Sequence, residues 1–202
     1  MTNNSSTGGY LIPASQPAPL QDSALIIFFQ ALTVGILGFT DPTLVRPRWQ
    51  PVMPTQPSIT TDWAVLGIVN RKGDTFAFVG HNLPYPEADI GTGQGYDLLQ
   101  RHEELDILFS IYGPNADDNA ALLRDGLSAP QNRETFQLNG MGLIEVGEAR
   151  TVPPMLNEQQ YYKVDMMVRI RRSISRVYPV LDVLSSAGTV GNEYTTDEFN
   201  AE

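Results

Sequence analysis

Glu104-Leu105-Asp106-Ile107-Leu108-Phe109-Ser110-Ile111-Tyr112 is the stretch on which the fold turns. Leu105, Ile107, Phe109 and Ile111 alternate with Glu104, Asp106, Ser110 and Tyr112, and only Leu108 departs from the period of two. This predicts a long strand with one buried and one wetted face. Gly113-Pro114-Asn115 breaks it, and Asn115 or a neighbour can cap a helix carrying Ala120, Leu123 and Leu127 on one stripe. A further helical piece is predicted over residues 131–138. Residues 141–150 and 161–178 then predict two strands joined by a Pro-containing loop, with Tyr162, Val164, Met166, Val168, Ile170 and Ile174 on one face of the second.

Upstream, Leu25, Phe28, Phe29, Leu32, Ile36 and Phe39 recur at spacings of three and four. They predict a core-facing helix that starts at the N-cap Asp22-Ser23 and ends near Gly38. The Pro-rich residues 42–57 exclude a helix and leave room for an edge strand at most. Residues 63–69 and 75–79 are β-rich runs on either side of Asn70-Arg71-Lys72-Gly73-Asp74, which predicts a hairpin. Pro84, Pro86, Gly91, Gly93 and Gly95 make residues 81–96 a loop. The whole reads as α+β, a mostly antiparallel sheet with two or three helices packed on it. Residues 1–21, mixing Asn, Ser, Gly and Pro without a period, and residues 185–202, acidic and without a base, read as flexible arms around one domain of residues 22–184.

The 202 residues are 42% hydrophobic and 18% charged, a globular balance with enough apolar mass for one core. Thirteen Lys and Arg against 23 Asp and Glu leave a formal charge of −10, which argues against a basic surface that grips nucleic-acid backbone. With no cysteine there is no disulfide, thiolate metal site or thiol nucleophile, and two histidines, His81 and His102, are too few for a His-rich metal centre. The longest apolar stretch, residues 24–39, is interrupted by Gln30 and Thr33 and falls short of the roughly 20 apolar residues of a membrane span. The first basic residue is Arg46, so no secretory signal is expected, and an intracellular site of synthesis is.

Glu103, Glu104 and Asp106 beside His102 have the residue types of acid–base catalysis, but the polar side of a half-buried strand accounts for Glu104 and Asp106 without it. Gly91-Thr92-Gly93-Gln94-Gly95 lacks the following Lys and helix of a phosphate cradle. Asp117-Asp118-Asn119 lacks the spacing of a calcium loop and suits the first turn of a helix. No Gly-x-Ser-x-Gly elbow is present. The expectation is a protein without catalytic residues, cofactor or metal. Arg169, Arg171, Arg172 and Arg176 instead concentrate four of the 13 bases in one strand, which reads as a contact surface for a charged partner.

Three strings carry a family resemblance: Leu44-Val45-Arg46-Pro47-Arg48-Trp49-Gln50-Pro51; Leu99-Gln100-Arg101-His102-Glu103-Glu104-Leu105 leading into Phe109-Ser110-Ile111-Tyr112-Gly113-Pro114-Asn115-Ala116; and Leu122-Leu123-Arg124-Asp125-Gly126-Leu127 with Pro130-Gln131-Asn132-Arg133. With the closing Arg169-Ile170-Arg171-Arg172 and Tyr178-Pro179-Val180, they resemble the neck or tail terminator proteins of tailed bacteriophages over residues 24–185. The resemblance implies a small α+β virion protein, found in the neck at the head–tail junction. It also implies a ring, typically a hexamer, that caps the tail tube and joins it to the head-side connector while DNA passes through the channel. The implied partners are further copies of the chain, the tail tube protein, head-to-tail connector or adaptor proteins and the tail sheath protein. The matching strings add Arg46, Arg48 and Trp49 to the expected contact residues. In a ring, Arg169 and Arg171 of one subunit would meet Glu104 or Asp106 of the next, and acids facing the bore would repel passing DNA. Two other readings are a head-completion or adaptor ring of the same neck, and a small acidic hydrolase or nucleotide-binding enzyme built on residues 81–96 and His102.

Overall fold

The computed structural model describes residues 10–17, 22–52, 54–82, 94–152, 155–156, 159–160, 162–181, 186–191 and 196–201. Its elements are α1 (Ser23–Leu37), a 3-10 turn (Pro42–Leu44), β1 (Val45–Pro47), β2 (Trp63–Gly73), β3 (Phe78–Asn82), β4 (Gln94–Tyr112), α2 (Ala116–Ser128), α3 (Pro130–Leu138), β5 (Met141–Thr151), β6 (Met155–Leu156), β7 (Gln159–Gln160), β8 (Lys163–Leu181), β9 (Ser186–Gly191) and β10 (Thr196–Ala201). They fall into two units, a larger one drawn from residues 17–75 and 101–174 and a smaller one drawn from residues 1–16, 76–100 and 175–202.

The larger unit is an α+β layer structure, as the patterning predicts. Its strands lie in the order β1-β2-β4-β8-β5, so β1 and β5 are the two edges. Among the described residues only β1 and β2 pair in parallel. The other pairings are antiparallel, as the registers of β2 with β4 and β5 with β8 and the cross-strand pairs Ser110–Asp165 and Asp106–Arg169 show. All three helices pack on one face. Leu25, Phe29 and Leu37 of α1, Ala116, Ala120, Leu123 and Leu127 of α2, and Phe136 of α3 meet Ala64, Leu66, Leu105, Ile107, Phe109, Ile111, Val164, Met166, Val168 and Ile170 of the sheet. Burying each large side chain contributes about 1.5–3 kcal/mol, which makes this layer the main source of stability. No helix among the described residues is long and apolar enough to cross a membrane.

Local chemistry sets the helix ends, not always as the sequence suggests. Gly38 closes α1 in the left-handed region at φ 66°, but the Asp22 side chain makes no capping hydrogen bond. At α2 the cap comes from far away in sequence. Asp62 accepts the Asn115 N–H at 3.0 Å and the Asn115 side-chain amide at 2.8 Å, placing a carboxylate at the positive end of the helix. Gly113 makes this approach possible: its φ is 115°, and a Cβ there would lie 2.4 Å from Asp62 Oδ1.

The expected hairpin of residues 63–69 with 75–79 does not form. β2 runs straight through Asn70, Arg71, Lys72 and Gly73 after a bulge near Val69, and all four pair with β4. β3 pairs with β4 as well, at residues 96–100. A 19-residue strand has length for both partners, and β2 buries Ala64 and Leu66 beside Ile111 and Phe109 only by choosing it. Of the expected loop over residues 81–96, His81 and Asn82 end β3, Gln94 to Tyr96 begin β4, and residues 83–93 lie outside the described residues. Tyr162, placed by pattern on the apolar face of β8, precedes the strand and is exposed. In the smaller unit, the terminal segments read as arms carry local structure among their described residues: Ala14 donates to the Val177 carbonyl at 2.7 Å, and β9 pairs with β10 antiparallel.

Candidate assembly surface

The face of the larger unit's sheet opposite the helices carries the polar half of every alternating strand. Ser110, Asp106 and Glu104 of β4 lie beside Asp165, Arg169 and Arg171 of β8 and beside Asn70 and Lys72 of β2. The result is a ladder of opposite charges. Arg169 Nε donates to Asp106 Oδ1 at 2.7 Å, its Nη1 lies 3.7 Å from Glu145, and Asn70 donates to Asp106 Oδ2 at 3.0 Å. These two hydrogen bonds, Arg169's first, hold the Asp106 carboxyl below its ordinary pKa, and the same contact raises that of Arg169. Ser110 donates to Asp165 at 2.6 Å, and Lys163 reaches the other oxygen of Asp165 at 2.8 Å.

The expected contact residues are therefore placed unevenly. Arg169 and Asp106 meet inside one chain, so their pairing does not wait for a neighbouring subunit. Arg171 is exposed and, with Glu104, lines a polar cleft of about 190 Å³ completed by Lys72, Asp74, His102 and Glu103. Arg176, in the smaller unit, donates to the Gln16 side chain. Arg46 is held by its own chain, donating to the carbonyls of Thr43 at 3.1 Å and Thr55 at 2.8 Å with its guanidinium over the Trp63 ring. Arg48 and Trp49 are exposed.

Arg172 does not belong to this surface. It occupies a core-facing position of β8 between Ile170 and Ile174 and is fully buried, 3.8 Å from the equally core-facing Glu103 of β4. The Glu103 carboxylate is also 3.3 Å from Arg101 and 3.9 Å from Arg71, so it is the hub of three guanidinium groups. The burial of Glu103 and Arg172 and their pairing are what the sequence reading missed. The signal was available, because both residues have the parity of the apolar positions around them.

The enzyme reading was tied to His102 and the loop near His81. The His102 backbone N–H donates to Asp74 Oδ2 at 2.8 Å and its ring Nδ1 lies 3.5 Å from the same oxygen. The backbone contact, first among its causes, lowers the Asp74 pKa. His81 Nδ1 lies 2.8 Å from Asp97 in the smaller unit. Each is an imidazole–carboxylate pair. Among the described residues, no group of three or more His, Asp or Glu could hold a metal ion.

Compared with known proteins, the chain matches the model of the phage neck terminator protein family over residues 23–195. No curated protein matches it.

Proposed function

Because the chain belongs to the phage neck terminator protein family and is thus a structural protein of the virion neck, we propose that its copies close into a ring, a hexamer, that ends the tail tube and joins it to the head-side connector. The family match over residues 23–195 carries this reading. The partners are further copies of the chain, the tail tube protein and the connector or adaptor proteins, with the sheath protein where the tail has one. The domain of residues 22–184 forms the ring wall, and the segments on either side of it reach the neighbouring proteins. Double-stranded DNA passes through the channel without being gripped, in keeping with a formal charge of −10 per chain. The protein acts by assembly and not by catalysis.

Light scattering on the purified full chain, before and after mixing with polymerised tail tubes, tests the reading. A mass of about six copies, alone or formed on tube ends, is the expected result. A chain that stays monomeric and indifferent to tubes would shift the assignment to another component of the neck, such as a head-completion or adaptor ring.

A further inference from the structure

Residues 45–52 leave the β1 edge of the larger unit as a Pro-flanked knob. β1 contributes only three residues, and the Arg48 N–H extends its pairing by one bond to the Leu66 carbonyl at 2.7 Å. Beyond that point Trp49 is 81% exposed and Val52 79% exposed. The knob is preorganised: Arg46 spans its base to the Thr55 carbonyl, and Pro47 and Pro51 limit the backbone. A tryptophan held this way in water is the kind of side chain that dominates binding energy where a partner covers it.

The opposite edge presents the complement. At β5 the register slips between Leu143 and Glu145, leaving Ile144 as an extra, bulged residue that is 48% exposed. A second slip between Val146 and Ala149 takes in Gly147 and Glu148, and Glu148 is exposed. Leu138, where α3 turns into β5, is 80% exposed. The two bulges disfavour simple strand addition along this edge, so a contact here is made by side chains. Residues 45–52 carry two arginines and no acid, whereas β5 carries two glutamates and one arginine, with Glu148 3.5 Å from Arg150 and Glu145 3.7 Å from Arg169 of the same chain.

We propose that the two sheet edges are the two halves of one heterologous contact between copies of this chain, with Trp49 and Val52 of one copy seated against Leu138 and Ile144 of the next and Arg48 facing Glu148. The proposal rests on the ring reading above and gives it a contact. Different patches on opposite edges join head to tail, which is what a closed ring requires.

Two full-length variants, Trp49→Glu and Ile144→Arg, test it by native mass with and without tail tubes, with circular dichroism to verify folding. Each variant alone is expected to associate about 30-fold more weakly than wild type. Mixed together, they retain one intact knob and one intact β5 edge, so they form 1:1 heterodimers that cannot close. Val52→Ser and Leu138→Ser serve as milder substitutes should a charged variant fail to fold. Rings from either variant at wild-type concentration, or folded variants that do not associate on mixing, would overturn the proposal. Rings that form normally from Trp49→Glu but no longer dock tubes would assign the knob to another neck protein and overturn it too. Should wild type itself never form a ring, the ring reading fails first; if wild type forms rings and the variants do too, only the edge assignment fails.

Discussion

At the residue scale, Glu103 is the most exacting position in the larger unit. A carboxylate with a 5% exposed side chain must be compensated, and Arg71, Arg101 and Arg172 do so from three directions. The cluster is asymmetric: losing the one acid removes a carboxylate contact from three cations at once, whereas losing one cation leaves the acid two partners. Glu103→Gln is therefore expected to destabilise the protein by about 3–5 kcal/mol in urea unfolding, the range for a broken buried ion pair. Arg172→Met, which keeps volume at a fully buried site, is expected to cost clearly less. Equal losses would show that Arg71 and Arg101 do not support Glu103.

At the scale of elements, the contact of α1 with α2 depends on a missing side chain. A Cβ on Gly126 would lie 2.4 Å from Ile36 Cγ2, closer than packing permits. Gly126→Ala should raise helix propensity by about 1 kcal/mol yet lower overall stability, because overpacking costs about 1–3 kcal/mol. In an Ile36→Ala background the same substitution should become neutral or stabilising, and a double-mutant cycle by thermal unfolding measures the coupling. An additive cycle would mean that the helices separate at no cost. The helices themselves were legible because 3.6-residue periodicity is local. Gly38 and Asn115 were legible as cap positions too, but the group that serves Asn115 was not: Asp62 reaches it across 53 residues, and nothing in the local sequence announces it.

For the whole molecule, acidity is the property with the widest consequence. Asp41, Asp74 and Asp106 all have depressed pKa values in the folded state, each chiefly through a hydrogen bond: from Thr43, from the His102 backbone and from Arg169. A group whose folded pKa lies below its unfolded value of about 3.9 stabilises fully above that value and loses the contribution as pH falls through the folded pKa. The stability gap between wild type and Asp106→Asn should accordingly hold steady at higher pH and shrink as the pH falls below about 4, and a gap that widens in acid would contradict the assigned Arg169–Asp106 pair.

By itself the sequence determined the class of the fold, the three helices, the inward and outward faces of β4 and β8, and through its matching strings the family. These rest on period and local composition, which each segment carries within itself. Tertiary structure alone decided which strands are neighbours. Parity places Glu103 and Arg172 on the core side, but only the adjacency of β4 and β8 makes them partners. It likewise sent β2 to β4 instead of β3, and put the Trp49 knob and the bulged Ile144 on opposite edges. The physical reason is that strand pairing is non-local: a period of two fixes the face on which a side chain lies, and the competition to bury apolar surface fixes what it faces.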